Sequence, residues 1–174
     1  MMHLLKVLIL LMLVNALYGA GENIKSFWAD FVQNVSSENE GKISYEGNIE
    51  AKVPNLAKWT YLKPLKKEIY INAQNVIVYE PNLYQATITH LEEKADFLSI
   101  IKTAVLGKDG RYLSVIGKTS YFLTFKDKKP YLLEFNDEFG NEVRIEFKNV
   151  RMNIPLKDSD FVFVPSDDID IIHQ

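Results

Sequence analysis

The sequence of 174 residues contains no cysteine, which restricts the chemistry open to it. No disulfide can form, no thiolate nucleophile exists, and a zinc site built on sulfur ligands is excluded. A lipid joined through a thioether at the mature amino terminus also requires a cysteine. If the protein is exported, it therefore folds without disulfides and cannot be anchored in this way.

Histidine is nearly as scarce, and outside the first twenty residues only His90 and His173 remain. A catalytic histidine needs an oriented partner, and the sequence has no H-E-x-x-H, no G-x-S-x-G and no glycine-rich phosphate loop. The acidic cluster of Asp167, Asp168 and Asp170 lacks the spacing and the turn glycine of a calcium loop, so a solvated acidic end is expected. We therefore predict no enzyme, no metal site and no cofactor.

A basic stripe is also missing. The formal net charge is −3, and the lysines are scattered among carboxylates, so nucleic-acid phosphates are not expected partners. Apolar residues make up 47% of the chain and charged residues 25%, which is typical of a globular domain with a sizeable core.

The first twenty residues, MMHLLKVLILLMLVNALYGA, differ sharply from the rest. Lys6 lies in a leucine-rich run whose uninterrupted apolar stretch, Val7 to Val14, is short for a bilayer span and is followed by small residues. We predict a signal peptide at 1–20 and a single domain at 21–174, exported to the periplasm. An amino-terminal membrane anchor left in place is the alternative.

Two segments show helical periodicity. In NIKSFWADFVQNV the spacing of the apolar residues predicts an amphipathic helix that begins at a capping Asn23: Ile24, Phe27, Trp28, Phe31, Val32 and Val35. In EEKADFLSIIKTAVLGKDG a second helix is predicted, with Gly107 as its stop and an apolar face formed by Phe97, Ile100, Ile101, Ala104 and Val105.

From Gly41 onward the remaining segments alternate with the period of two that indicates strands, and short turns separate them. They are GKISYEGNIEAKV, KKEIYINAQNVIVYEP, LYQATITHL, YLSVIG, SYFLTFKDKKPYLLEF, NEVRIEFKNVRMNI and DFVFVP. This pattern predicts a mainly β protein with helices, in the α+β class, built on one antiparallel sheet that is strongly curved or closed.

The stretch VPNLAKWTYLKP places Trp59 and Tyr61 two residues apart, on the same face of a strand. Together with the two apolar helix faces, they form more apolar surface than one sheet face obviously needs. In a compact sandwich these residues would form a solid core. In a curved open barrel they would line a cavity, and periodicity leaves both interpretations open.

Three segments carry a recognisable set of residues. They are SFWADFVQNV, GNIEAKVPNLAKWTYLKP and VIVYEPNLYQATI, with Phe27, Phe31, Gln33, Trp59, Tyr79, Pro81 and Gln85. In these residues the chain resembles a known family, the periplasmic outer-membrane lipoprotein carriers of the LolA type. The first segment looks like the first helix of that family. The resemblance covers roughly Ser26 to Thr89, and the ending FVFVPSDDIDII matches more loosely.

This resemblance implies a half-open antiparallel β-barrel, closed by a helical lid over a hydrophobic cavity. Such carriers take triacylated lipoproteins from an inner-membrane lipoprotein-releasing ABC transporter and release them to an outer-membrane acceptor. The acceptor of similar fold is itself lipidated, so the missing cysteine favours the soluble carrier, which we expect to be a monomer without an ATP site.

The same resemblance implies the candidate lipid-binding residues. Those expected to line the cavity are Ala57, Trp59, Tyr61 and Ile69, and those expected to cover it from the helices are Phe27, Phe31, Phe97 and Ile101. Family members often carry an arginine at the position of Val53, where it latches the lid, and a bulky aromatic residue at the position of Ala57. Valine offers no donor, so the latch is expected to be absent or moved, and Lys52 should point to the opposite face.

Two other functions stay open. The first is a periplasmic module of the same fold that carries no lipoprotein but binds a protein partner or another envelope lipid. A solid interior would favour it. The second is a hydrolase acting on envelope lipids or glycans, which would require two close carboxylates in a cleft.

Overall fold

Twelve strands form one continuous sheet in the computed structural model of the protein, which describes residues 21, 23–37, 41–90 and 96–174. The strands are β1 (Ser26–Ser37), β2 (Gly41–Lys52), β3 (Leu56–Lys63), β4 (Lys67–Asn72), β5 (Asn75–Glu80), β6 (Gln85–His90), β7 (Val105–Leu106), β8 (Tyr112–Ile116), β9 (Thr119–Lys126), β10 (Lys129–Asn136), β11 (Glu142–Met152) and β12 (Asp170–His173). The predicted signal peptide lies outside the described residues, so its assignment stays a prediction.

The strands follow the order β12-β6-β5-β4-β3-β2-β1-β11-β10-β9-β8-β7 across the sheet. Every described pairing is antiparallel except that of β12 with β6, which is parallel. The order ends at β12 on one side and at β7 on the other, so the described sheet is not closed into a barrel. The mainly β prediction is confirmed, whereas the purely antiparallel sheet is wrong at β12.

The predicted first helix is wrong, because its residues form the central strand β1, paired with β2 on one side and β11 on the other. Phe27, Ala29 and Phe31 are fully buried on one face of β1. Trp28 lies on the other face, where the guanidinium of Arg151 stacks on it at 4.0 Å. Apolar residues on both faces of a strand produce the spacing of an amphipathic helix, which explains the error.

The second predicted helix is confirmed but is shorter than expected. It is α1 (Phe97–Thr103), whose amino terminus is capped by the carboxylate of Asp96 accepting from the backbone N–H groups of Leu98 and Ser99 at 3.0 and 3.2 Å. The chain then leaves the helix at Ala104, and Val105 belongs to the edge strand β7 instead of the helix face. Among the described residues, no helix has both the length and the apolar composition needed to cross a membrane.

The predicted strand in DFVFVP does not form. A 3₁₀ helix, η2 (Asp158–Phe161), takes its place and is followed by irregular chain. This chain crosses the face of the sheet that carries Trp28, here called the outer face. There Phe163 packs on Tyr70 and Tyr79, with ring centroids 5.6 and 5.1 Å apart. Phe161 is thus buried and Phe163 half-buried by side-chain packing, and neither residue belongs to a strand.

The main apolar core lies on the opposite face, here called the inner face, against which α1 packs. A short 3₁₀ helix, η1 (Pro81–Leu83), joins β5 to β6. The inner face is most tightly filled near α1, where Phe27, Ile49 and Ala57 are inaccessible to solvent. Toward the β1–β2 turn the same face is only half-buried, at Val35 and Tyr45.

Candidate functional site

A cavity of about 190 Å³ lies between α1 and the inner face of the sheet. Strands β1, β3, β4, β9, β10 and β11 form its floor, because their inward residues alternate with outward ones along each strand. Its lining is apolar and aromatic, with one amide: Gln33, Trp59, Tyr61, Ile69, Ile71, Phe97, Ile100, Tyr121, Leu133, Phe135 and Ile145.

Phe31 supports the aromatic wall of the cavity from β1. Its ring meets the rings of Trp59 and Tyr61 edge-on, with centroids 5.2 and 5.1 Å away, although both belong to β3. The intervening position on β2 is Gly47, where an added Cβ would lie 2.8 Å from Phe31 Cζ and 2.0 Å from the carbonyl oxygen of Thr60. Glycine at this position therefore lets the Phe31 ring reach across β2 to the wall.

Phe97 forms the centre of the helical side. Its ring centroid lies 4.7 Å from that of Phe27, 5.1 Å from that of Phe147 and 6.2 Å from that of Trp59. One side chain of α1 thus contacts three different strands, and α1 occupies one end of the apolar space.

The polar part of the lining is small. The hydroxyl of Tyr61 donates to Gln33 Oε1 at 2.7 Å, and burial raises the pKa of that hydroxyl well above its usual range. The ammonium of Lys67 lies 4.7 Å from the ring centroid of Tyr61, within the range of a cation–π contact.

A larger groove of about 880 Å³ shares Phe135 with this cavity but has a different character. Its lining is largely polar and charged, and its carboxylate Glu134 is paired with Arg144 at 2.5 Å and with Arg111 at 3.9 Å. Among the described residues, no group of three histidine, aspartate or glutamate side chains is placed to hold a metal ion. The smaller cavity is therefore the better candidate for an apolar ligand.

Comparison with known proteins identifies the family. The family model described as outer membrane lipoprotein carrier protein LolA matches residues 22–102. An outer-membrane lipoprotein carrier protein of Helicobacter hepaticus is 41% identical over 167 residues, covering 95% of this chain and 93% of that protein. One from Helicobacter pylori strain P12 is 43% identical, with 98% of each chain covered. The chain belongs to the LolA family of outer membrane lipoprotein carrier proteins.

Solved structures agree on the fold. A LolA superfamily protein from Nitrosomonas europaea superposes with a TM-score of 0.50 at 11% identity, covering 84% of this chain and 96% of that one. An uncharacterised conserved protein from Thermus thermophilus superposes with a TM-score of 0.54 at 13% identity, covering 87% and 92%.

Within this LolA family member, the structure brings together four of the predicted site residues, Trp59, Tyr61, Ile69 and Phe97, as lining of one cavity. The other four predicted residues are buried beside the cavity without lining it: Phe27, Phe31, Ala57 and Ile101. Phe27 and Phe31 belong to β1, so the prediction that they cover the cavity from a helix is wrong. Ile101 faces Gly21, where an added Cβ would lie 2.0 Å from Ile101 Cγ2.

Several further residues line the cavity beside those predicted from the sequence. The alternation of the β9–β10 hairpin predicts the inward direction of Tyr121, Leu133 and Phe135. Ile71 is predicted by its position two residues after Ile69, on the same face of β4. Gln33 belongs to the family-like motif of β1, and no local sequence pattern shows that it lines the cavity. Ile100 follows from the α1 periodicity.

Val53 lies just after β2 and packs against the core, and its backbone N–H donates to the carbonyl of Lys25 at 3.0 Å. Its side chain offers no hydrogen bond to α1. The expectation that Lys52 points the other way is confirmed, because its ammonium binds the carbonyl of Leu156 at 2.8 Å and the carboxylate of Asp158 at 2.6 Å on the outer face.

His90 and His173 both lie at the exposed surface, on β6 and β12. The acidic end containing Asp170 is exposed but is not irregular, because residues from Asp170 onward form β12 beside β6.

Proposed function

We propose that this lipoprotein carrier holds the acyl chains of its cargo on the inner face of the sheet, in an enlarged form of the cavity beneath α1. The observation that carries the proposal is the apolar cavity itself, since a helix of only seven residues forms part of its wall. Because α1 is short and forms one side of the cavity, its movement can change the cavity volume without breaking the hydrogen bonds of the sheet.

The size of the cavity supports movement of α1. Pockets that enclose a drug-sized ligand usually measure about 300–1,000 Å³, whereas this cavity measures about 190 Å³. An acyl chain therefore needs more room than the closed form provides. Displacing α1 adds the space now filled by Phe97, Leu98, Ile100 and Ile101, the buried residues of the helix. In this proposal α1 is the lid of a half-open barrel-like sheet.

The free energy needed to expose the buried side chains of α1 is similar to the free energy gained by burying an acyl chain. Exposing the four buried α1 side chains costs roughly 1.5–3 kcal/mol each, or about 6–12 kcal/mol together. Burying one sixteen-carbon chain gains about 0.8 kcal/mol per methylene, or roughly 12 kcal/mol. For one acyl chain, the exchange of lid for lipid is then close to balanced, which allows a carrier both to shield that chain and to release it.

Membership of the family supports a proposal for the biological setting. We propose a periplasmic location, with cargo supplied by an inner-membrane lipoprotein-releasing ABC transporter and delivered to an outer-membrane acceptor. The energy for loading then comes from the transporter.

The test is to express the mature protein together with a lipidated partner and to purify the carrier. We expect an acylated protein to co-purify and a fluorescent fatty acid to bind saturably. Ile69→Trp, which fills the cavity with a larger ring, should abolish both while the protein stays folded. Leu113→Trp, at a partly exposed position on β8, is the matched control and should bind normally.

If neither an acylated protein nor a saturable fatty-acid complex is found with the wild-type protein, the carrier proposal is wrong. Capture of a protein without acyl chains would instead favour the partner-binding module. Binding unchanged by Ile69→Trp would place the ligand outside this cavity.

A further inference from the structure

Among the described residues that line the cavity, Gln33 is the only amide. It lies on the inner side of β1, two residues beyond Phe31 and two before Val35, where an apolar side chain would otherwise fit the pattern. Placing a primary amide in an apolar wall costs free energy unless its donors and acceptor find partners. Its position therefore calls for a partner.

Tyr61 supplies a hydrogen-bond donor for the amide oxygen of Gln33. Because the Tyr61 hydroxyl donates to Gln33 Oε1 at 2.7 Å, the amide is oriented with its oxygen toward Tyr61 and its Nε2 group turned away. Tyr61 is itself held, since the ammonium of Lys67 lies over its ring and the ring of Tyr45 meets it edge-on at 5.8 Å. Tyr61 therefore fixes the orientation of the Gln33 amide, and Lys67 and Tyr45 fix the position of Tyr61.

The Nε2 group of Gln33 has two N–H donors and no hydrogen-bond partner among the described residues. Within that same part of the chain, no fully buried side-chain nitrogen or oxygen lacks a partner. Nε2 is therefore accessible, and it belongs to a residue of the cavity lining. A ligand that enters the cavity and reaches Gln33 can therefore accept a hydrogen bond from Nε2.

We propose that the Gln33 amide donates a hydrogen bond to an ester carbonyl of the bound acyl lipid, at the point where the chain joins its glyceryl group. This inference rests on the proposed carrier function. The apolar lining, such as Ile69, Ile71 and Leu133, holds the hydrocarbon, while Gln33 sets the depth at which the chain stops. The site therefore distinguishes an acyl ester from a plain alkyl chain of the same length.

Two lipids that differ only in that carbonyl provide the test, namely dipalmitoylglycerol and its di-O-hexadecyl ether analogue. Each is used to displace a fluorescent fatty acid from the full mature chain. Because a neutral hydrogen bond contributes modestly on balance, we expect the ester to compete roughly five- to tenfold better than the ether.

Gln33→Met removes the amide at nearly constant volume, and Gln33→Glu removes the donors while keeping an acceptor for Tyr61. Both variants should bring the two lipids to within about twofold of each other, through weaker binding of the ester. Gln85→Met, on β6 and outside the cavity lining, is the matched control and should keep the preference. Thermal unfolding of each variant verifies that it is folded.

Equal competition by ester and ether in the wild-type protein would overturn the role of Gln33 while leaving the carrier function intact. A preference that persists in a folded Gln33 variant would do the same. Failure of both lipids to displace the probe would overturn the carrier proposal itself.

Discussion

The hydroxyl oxygen of Thr103, in the last turn of α1, lies 2.6 Å from the hydroxyl oxygen of Ser114 on β8. Thr103 Oγ1 also lies 2.9 Å from the carbonyl of Ser99, which accepts its proton, so Ser114 is the donor of the bond between α1 and the sheet. Ser114 is buried whereas Thr103 is exposed. This contact ties the carboxyl end of α1 to β8, so it can serve as the latch that Val53 cannot provide.

Ser114→Ala should loosen α1 without changing the sheet. Loss of one neutral hydrogen bond costs about 0.5–1.5 kcal/mol, so amide hydrogen exchange in α1 should become roughly two- to tenfold faster. Exchange measured by mass spectrometry or NMR on the empty protein verifies this. Ser120→Ala, at an exposed position on β9, is the matched control. Unchanged exchange in α1 would show that the contact does not hold the helix.

Val53→Arg tests the latch position named by the family resemblance. An arginine at this place gains donors that can reach the backbone of the lid, and exchange of the α1 amides should become slower than in the wild-type protein. Val53→Met supplies a long side chain without a donor and should leave the rates unchanged. Equal rates in the arginine and wild-type proteins would contradict the idea that Val53 leaves the empty lid more loosely closed.

Phe97→Ala should remove the main anchor of α1. Phe97 is 2% exposed and contacts the rings of Phe27, Trp59 and Phe147. Truncating such a buried ring costs about 3–5 kcal/mol of unfolding free energy, measurable by urea denaturation. Phe139→Ala is the control at a residue 81% exposed, and its effect should stay within about 0.5 kcal/mol. Similar losses in both variants would refute the anchoring role.

The stability of the protein should fall at alkaline pH, and Tyr61 should account for part of the fall. Burial raises the pKa of Tyr61 above its ordinary value of 10.0. Above that pH the unfolded chain releases the proton while the folded protein keeps it, so the unfolding free energy decreases by up to about 1.4 kcal/mol per pH unit. Below pH 10 this contribution is fully present.

Urea denaturation at pH 9 and pH 11 measures the effect. Tyr61→Phe should lose less stability between the two pH values than the wild-type protein does. Tyr84→Phe, at a residue 59% exposed, should match the wild-type protein. An identical pH dependence in the Tyr61 variant would show that its hydroxyl titrates freely in the folded state.

The sequence predicted the type of secondary structure correctly wherever the spacing of apolar residues fitted only a strand or only a helix. The hairpin from Lys67 to Glu80 and the mid-chain helix are examples, because alternation flanking a short turn, or helical spacing before a glycine, fits one structure best. It was also sufficient for the inward direction of Trp59 and Tyr61, since their separation by two residues places them together on any strand.

Sequence periodicity failed for Phe27 and Phe31, whose spacing of four is compatible with a helix and with a strand. The choice depends on partners far along the chain, because β1 pairs with β2 and also with β11, more than a hundred residues away. DFVFVP failed for a related reason: Phe161 is buried without a neighbouring strand to pair with.

The mainly β class, the family and the absence of cysteine chemistry were all readable in the amino-acid sequence, because composition and local spacing carry that information. The folded chain was needed to show that the interior contains a cavity, that α1 forms one wall of it, and that Gln33 lines it beside Tyr61. Those features depend on how separate strands curve past one another and on the volume their side chains leave unfilled, which no local pattern specifies.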